Sequence, residues 1–237
     1  MNQIEKLMNA AKKENIVITE EQAKQLVKYY EMIVETNKVM NLTAITEFDE
    51  VLTKHFMDSL SIVRVYDFNK SLTLIDVGTG AGFPGIPLKI IYPKIKVTLM
   101  DSLNKRINFL KEVITELELE DIDAIHARAE DLGRDSNYRE KYDVCVSRAV
   151  ANLSTLSEYC MPLVKVKGFF LSYKGSNVQE EVKNAKKAVK LLGGRINGCE
   201  EFSLEGDIGR SFVIIEKIEK ISDKYPRSSG KPSKEPL

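Results

Sequence analysis

Residues 76–87 read DVGTGAGFPGIP: an acid, a glycine-rich run and two prolines, set directly after the apolar stretch LTLI at 72–75. Gly80, Gly82 and Gly85 satisfy the GxGxxG spacing. Glycines there permit a tight turn and let backbone approach a ligand closely, a logic shared by several nucleotide-like ligands. The loop alone therefore does not choose among them. Pro84 and Pro87 lack the N–H groups that a pyrophosphate would use, which disfavours NAD and FAD. No Lys-Ser or Lys-Thr follows the glycines, so the loop is not an ATP P-loop.

Outward from the loop, strand-like and helix-like runs alternate. LTLIDV (72–77) is a strand and GIPLKIIY (85–92) a helix; KVTLMD (96–101) is a strand and 104–119 a strongly periodic helix. Residues 123–131 form a third strand with its exit loop, YDVCVSRAV (142–150) a fourth strand, and 152–164 a helix. GFFLSYKG (168–175) is a fifth strand and 178–194 a helix. Strands near 200–205 and 211–218 end the series. The pattern predicts an α/β, Rossmann-like, seven-stranded, mostly parallel sheet closed by a C-terminal antiparallel hairpin. Before it, residues 1–70 predict a small helical cap: a helix over 2–13, one opening at the Thr19–Gln22 capping box, and one from about 47 to 66. The expected units are therefore the cap (1–70), the ligand-binding domain (71–221) and a basic tail (222–237).

The 237 residues carry a formal net charge of +0 and 43% hydrophobic residues, enough for a buried core. Residues 151–237 hold 15 Lys and Arg against 11 Asp and Glu, so a polyanion would be met in that third. Cys145, Cys160 and Cys199 are far apart, which argues for a reducing compartment and against a disulfide scaffold or a metal site. The N-terminus lacks a signal peptide's apolar run and no segment has the length of a membrane span, so a cytoplasmic protein without a membrane partner is expected. Nothing demands a protein partner or a dimer; a monomer is expected.

Three strand ends carry acids. Asp76 precedes the glycines, where a carboxylate suits a cationic ligand group such as an amino-acid ammonium. Asp101 ends the second strand, where a carboxylate can accept from both hydroxyls of a ribose. Ala129 and Glu130 follow the third, placed to bracket an adenine edge. Together they favour S-adenosylmethionine as the ligand.

DVGTGAGFPGIP, MDSLNKRINFL, HARAED, YDVCVSRAVANL, YKG and the tail YPRSSGKPSKEPL resemble the RsmG (GidB) family, from residue 41 almost to the last residue. The resemblance implies a class I S-adenosylmethionine-dependent methyltransferase that modifies N7 of a guanine in bacterial 16S ribosomal RNA, guanine 527. It also implies that Gly78, Gly80, Gly82 and Phe83 line the cofactor pocket. Asp101 would hold the ribose, Ala129 and Glu130 flank the adenine, and Arg148 face the methionine end. Tyr173, before Lys174, stands where the family pattern leads one to expect a smaller apolar residue. YPR, GKP and the terminal PL recur in the family, so Tyr225–Arg227 is expected to dock beside the site.

Guanine N7 has a free lone pair and no proton, so no catalytic base is required; positioning, by Arg148 and Lys174, would suffice. The fourth strand ends SRAVAN and not in the Asn-Pro-Pro-Tyr motif of exocyclic-amine methylation. Cys145 alternates with Val144 and Val146 inside a strand and reads as core. His55 and His126 read as structural or RNA-contacting. Lys105, Arg106, Arg128, Lys174, Arg210 and Arg227 are the candidate RNA contacts, with Arg148 beside them and Lys224, Lys231 and Lys234 adding charge to the tail. Phe83 or Tyr173 is placed to stack on an extruded guanine. Replacing Arg227 with Ala is expected to weaken RNA methylation and leave cofactor binding intact.

Overall fold

The computed structural model describes residues 1–148 and 150–237. Ala149, inside SRAVAN, lies outside the described residues.

The cap begins with α1 (Gln3–Lys13) and α2 (Glu20–Asn37). Both open on reciprocal capping boxes: Asn2 with Glu5, and Thr19 with Gln22, which satisfy backbone donors that a helix start leaves free. The third cap helix is continuous from 48 to 64 but changes winding along its length. It runs as α3 (Phe48–Val51), a π-helical stretch (Leu52–Met57), α4 (Asp58–Leu60) and a 3₁₀ turn (Ser61–Arg64).

β1 (Thr73–Val77), α5 (Gly85–Ile91), β2 (Lys96–Asp101), α6 (Asn104–Glu116) and β3 (Ile122–His126) follow. Then come the short α7 (Ala129–Leu132), β4 (Tyr142–Arg148), α8 (Leu153–Cys160) and β5 (Val164–Gly175). α9 (Gln179–Leu191), β6 (Gly194–Leu204), β7 (Ile208–Lys217) and α10 (Lys231–Lys234) complete the chain. The sheet order is β3-β2-β1-β4-β5-β7-β6. β1 through β5 pair in parallel and β7 pairs antiparallel with both β5 and β6, as the strand pattern predicts.

β5 and β6 start earlier than the sequence suggests. β5 reaches back to Val164 through an irregularity opposite Tyr142 and Val144. β6 is an edge strand whose RINGCEEFSL is exposed or half-buried up to Leu204, so its apolar pattern is weak and the ladder to β7 defines it. α8 stops at Cys160 because Met161-Pro162 cannot continue it.

The cap shares a core with the sheet. Leu26, Tyr29, Ile33, Phe56 and Leu60 of the cap are buried in one cluster with Leu74, Ile86, Leu99 and Leu110. Burying each such side chain contributes about 1.5–3 kcal/mol, so the cap is held firmly over one face. On the other face Ile75, Cys145, Leu156, Phe170 and Ile215 pack under α8 and α9. Cys145 is wholly buried and Cys160 with it, in keeping with a core role.

Candidate functional site

β1 ends beside the switch point of the sheet, where the order reverses between β1 and β4, and the glycine loop crosses it. Two of its glycines show what the loop does. Gly80 has φ +63 and open space where a side chain would stand, and its N–H is turned to the Asp101 carboxylate. Gly82 has φ +109, and a Cβ there would lie 2.6 Å from Tyr29 Oη and 2.7 Å from Ile86.

A cavity of about 420 Å³ opens beside Gly78, lined by Gly78, Asp101, Arg106, Arg128, Ala129 and Glu130 among others. Asp101 is buried; its Oδ2 accepts from Gly80 N at 3.0 Å and Arg106 Nη1 at 3.2 Å, its Oδ1 from Leu103 N at 2.9 Å. Glu130 Oε1 accepts from Gly230 N at 2.8 Å, which brings the C-terminal tail to the cavity wall.

A second cavity, of about 360 Å³, lies where the cap meets β4, β5 and β7. Lys54, His55, Asp58, Arg148, Lys174 and Arg210 line it with Tyr173. Arg148 Nη1 donates to Asp58 Oδ2 at 2.8 Å and to the Lys54 carbonyl at 3.2 Å; Arg210 Nε donates to Asp58 Oδ1 at 2.8 Å. His55 stacks on Phe83 with ring centroids 4.5 Å apart. Burial, with the Arg148 charge, pushes its imidazole down to about 4, so it stays neutral at physiological pH. His55 Nδ1 lies 3.1 Å from the Lys54 carbonyl and 3.3 Å from Arg148 Nη2, and Nε2 sits 2.9 Å from Thr43 Oγ1.

A family model described as "GidB: rRNA small subunit methyltransferase G" matches residues 22–206. The chain belongs to this family. It is 52% identical over 232 residues to ribosomal RNA small subunit methyltransferase G of Acetivibrio thermocellus, covering 98% of this chain and 95% of that one. The corresponding protein of Alkaliphilus metalliredigens is 51% identical over 221 residues, 93% of this chain and 92% of its own. Among solved structures, TrmN from Thermus thermophilus superimposes with a TM-score of 0.54 at 16% identity, over 70% of this chain and 53% of that one. M. jannaschii TYW2 in complex with AdoMet gives 0.54 at 17%, over 69% and 76%. At these identities the structures speak for the fold. It is the class I methyltransferase fold, and the cofactor of this GidB-family chain is S-adenosylmethionine.

The residues at the switch point fit that cofactor. The 420 Å³ cavity has a nucleoside's scale, an acid at the end of β2, and the Ala129–Glu130 wall after β3. Arg106 Nε is buried there with no partner among the described residues, a donor left for a ligand or water.

Other expectations are corrected. Asp76 does not line either cavity: it is wholly buried beneath the loop, its Oδ2 accepting from Thr79 Oγ1 at 2.7 Å and Gly85 N at 2.9 Å. It folds the loop, and the first donor of α5 is used on it. Gly80, Gly82 and Phe83 do not line the 420 Å³ cavity. Gly80 gives its N–H to Asp101, whereas Gly82 and Phe83 face the cap, because Gly82 is crowded by Tyr29 and Phe83 is buried among Tyr29, His55 and Phe56. That burial also removes Phe83 as a stacking platform for an incoming base. Arg148 lies on the second cavity, with its guanidinium 5.2 Å from the Phe83 centroid. Tyr173 borders that cavity, but its ring is held edge-on to Phe212 and its hydroxyl donates to the Ser59 carbonyl at 2.7 Å.

The candidate RNA contacts separate. Arg106 and Arg128 line the 420 Å³ cavity, Arg106 tied to Asp101. Lys174 donates to Glu181 Oε1 at 2.7 Å and the Ala151 carbonyl at 2.8 Å, so it clamps the segment after β4. Arg227 is committed to buried Glu158 and the Glu235 carbonyl, which corrects its reading as a phosphate contact. Lys105 stays exposed at the start of α6 and Arg210 borders the second cavity. Sequence reasoning missed Asp58, Glu158 and Arg139. The one signal for Asp58 was an acid inside the apolar run FMDSL; its arginine partners stand 90 and 152 positions away.

Proposed function

We propose that this protein transfers a methyl group to N7 of guanine 527 in 16S ribosomal RNA, with the target base entering the cavity beneath the cap. The lining of that cavity carries the reading. Its groups that could serve as a base are already committed: Asp58 to two arginines, Tyr173 to a carbonyl, and His55 to its stack, with the Lys54 carbonyl and Arg148 against its Nδ1. A site so arranged suits an acceptor atom with a free lone pair, and N7 is one.

When bound, S-adenosylmethionine supplies an electrophilic methyl group on a sulfonium. What the chain contributes is placement. Arg148 and Arg210 are fixed by Asp58, so their remaining donors keep one geometry for the acceptor edges of a base or a phosphate. The product guanine is cationic; neutral His55 and the Asp58 carboxylate keep the cavity from opposing it as a purely cationic lining would. A folded RNA stacks its bases, so the target must be a loop guanine turned out of its stack.

Mapping N7-methylguanine in 16S rRNA from cells with and without the protein tests the assignment. Loss of the mark at position 527 alone is expected. An unchanged methylation map overturns it.

A further inference from the structure

The C-terminal tail is pinned to the body by buried groups. Glu158, in the last turn of α8, is wholly buried. Its carboxylate is met by Arg227: Nε at 2.9 and 3.1 Å, Nη2 at 2.6 Å, and the Arg227 backbone N–H at 2.7 Å. A buried carboxylate without a partner costs several kcal/mol, so this contact is strongly favoured over a free tail. Arg139 adds a second anchor, its Nη1 donating to the Gly133 and Tyr225 carbonyls at 2.7 and 2.8 Å. Pro226 is buried against Gly133, where a side chain would leave only 3.0 Å to its ring.

Downstream of these anchors the tail turns over the cofactor cavity. Gly230, at φ +81, gives its N–H to Glu130, and the Thr155 hydroxyl donates to the Pro232 carbonyl at 3.0 Å. Gly230 and Ser233 then stand in the cavity wall with Ala129, Glu130 and Tyr159. These are the residues of the β3 side, the end of the cavity where an adenine would lie.

We infer that residues 226–235 form the outer wall of the cofactor site. Gly230 and Ser233 contact the adenosine end, and the Glu158–Arg227 pair is the positioning element that holds them there. The inference rests on assigning the larger cavity to S-adenosylmethionine. It changes the expected division of labour: loss of Arg227 weakens cofactor capture itself, not only RNA methylation. By linkage, a bound cofactor must in turn hold the tail closed.

Two measurements on the full chain test this. The first is calorimetric affinity for S-adenosylhomocysteine in Arg227→Ala and in the double variant Glu158→Met/Arg227→Met, which removes the pin without burying a lone charge. Affinity is expected to fall by about tenfold or more in both, with Asp101→Ala as the control for the cavity. The second is hydrogen exchange of the wild-type backbone, in which saturating S-adenosylhomocysteine is expected to slow the Gly230 amide and its tail neighbours. Should the variants fail to fold, exchange decides. Wild-type affinity in a folded double variant, or tail amides indifferent to ligand, overturns the inference. Undiminished binding by Asp101→Ala would instead overturn the assignment of the cavity.

Discussion

Arg148 at the end of β4 and Asp58 in the cap meet with Nη1 2.8 Å from Oδ2, and that bond joins the cap to the carboxyl edge of the sheet. The other oxygen of Asp58 holds Arg210 from β7, so one buried carboxylate orients two guanidiniums that would otherwise repel. Asp58→Asn keeps the shape and removes the charge. Breaking a buried, hydrogen-bonded charge pair costs about 2–4 kcal/mol, so kcat/KM for RNA methylation should fall roughly 100-fold. Cofactor affinity, set at the other cavity, should change by less than about threefold. Calorimetry beside a methylation assay separates the two; equal losses in both would contradict it.

Gly82 predicts how the cap is seated. A methyl group there would meet Tyr29 Oη, Ile86 and Leu110, all under 3.0 Å, at a backbone angle that L-residues rarely adopt. Tyr29 also donates its hydroxyl to the Ala81 carbonyl, so it has little freedom to withdraw. Gly82→Ala should destabilise the fold by about 2–4 kcal/mol in urea denaturation. Gly80→Ala, with open space around its Cβ, should lose only about 1–2 kcal/mol from the left-handed backbone and act mainly on cofactor binding.

Arg106 gives a third outcome. Its guanidinium touches Asp101 at 3.2 Å and borders the cofactor cavity, away from the cap. Arg106→Ala should shift cofactor affinity several-fold, and leave RNA affinity at saturating S-adenosylhomocysteine within about twofold. Filter binding and calorimetry on the same preparation check it. A large loss of RNA affinity alone would restore Arg106 as a phosphate contact.

The strand–helix alternation, the glycine loop and the acid at the end of β2 were legible because each is written locally, in period and spacing. Glu130 and Asp101 reach the cavity for the same reason: a residue just past a parallel strand must end at the carboxyl edge. What stayed hidden depends on contacts distant in sequence. Phe83 sits inside the glycine motif, yet Tyr29 and His55, brought by the cap, bury it. Arg227 looked like a free basic residue because its partner, Glu158, lies 69 positions upstream in a helix buried almost all round. β6 was short in the sequence because an edge strand bonded through backbone needs little apolar alternation.

Asp76 carries the last prediction, one in pH. It is wholly buried, and burial pushes its carboxyl from 3.8 up to about 6, although hydrogen bonds from Thr79 and Gly85 and the Arg148 charge pull the other way. Its Oδ1 has no partner among the described residues. The folded chain therefore holds this proton more tightly than the unfolded chain. The associated stability is complete below about pH 4 and is lost as pH rises through about 6. A shift of this size corresponds to at most about 3 kcal/mol. Asp76→Asn keeps an oxygen for Thr79 and Gly85 and cannot ionise. Urea denaturation of both proteins from pH 4.5 to 8 should show the variant gaining on the wild type by about 1–3 kcal/mol across the range. Other groups that titrate in the window cancel in the difference. A gap that does not change with pH would show that Asp76 is ionised throughout, held by the loop's own hydrogen bonds.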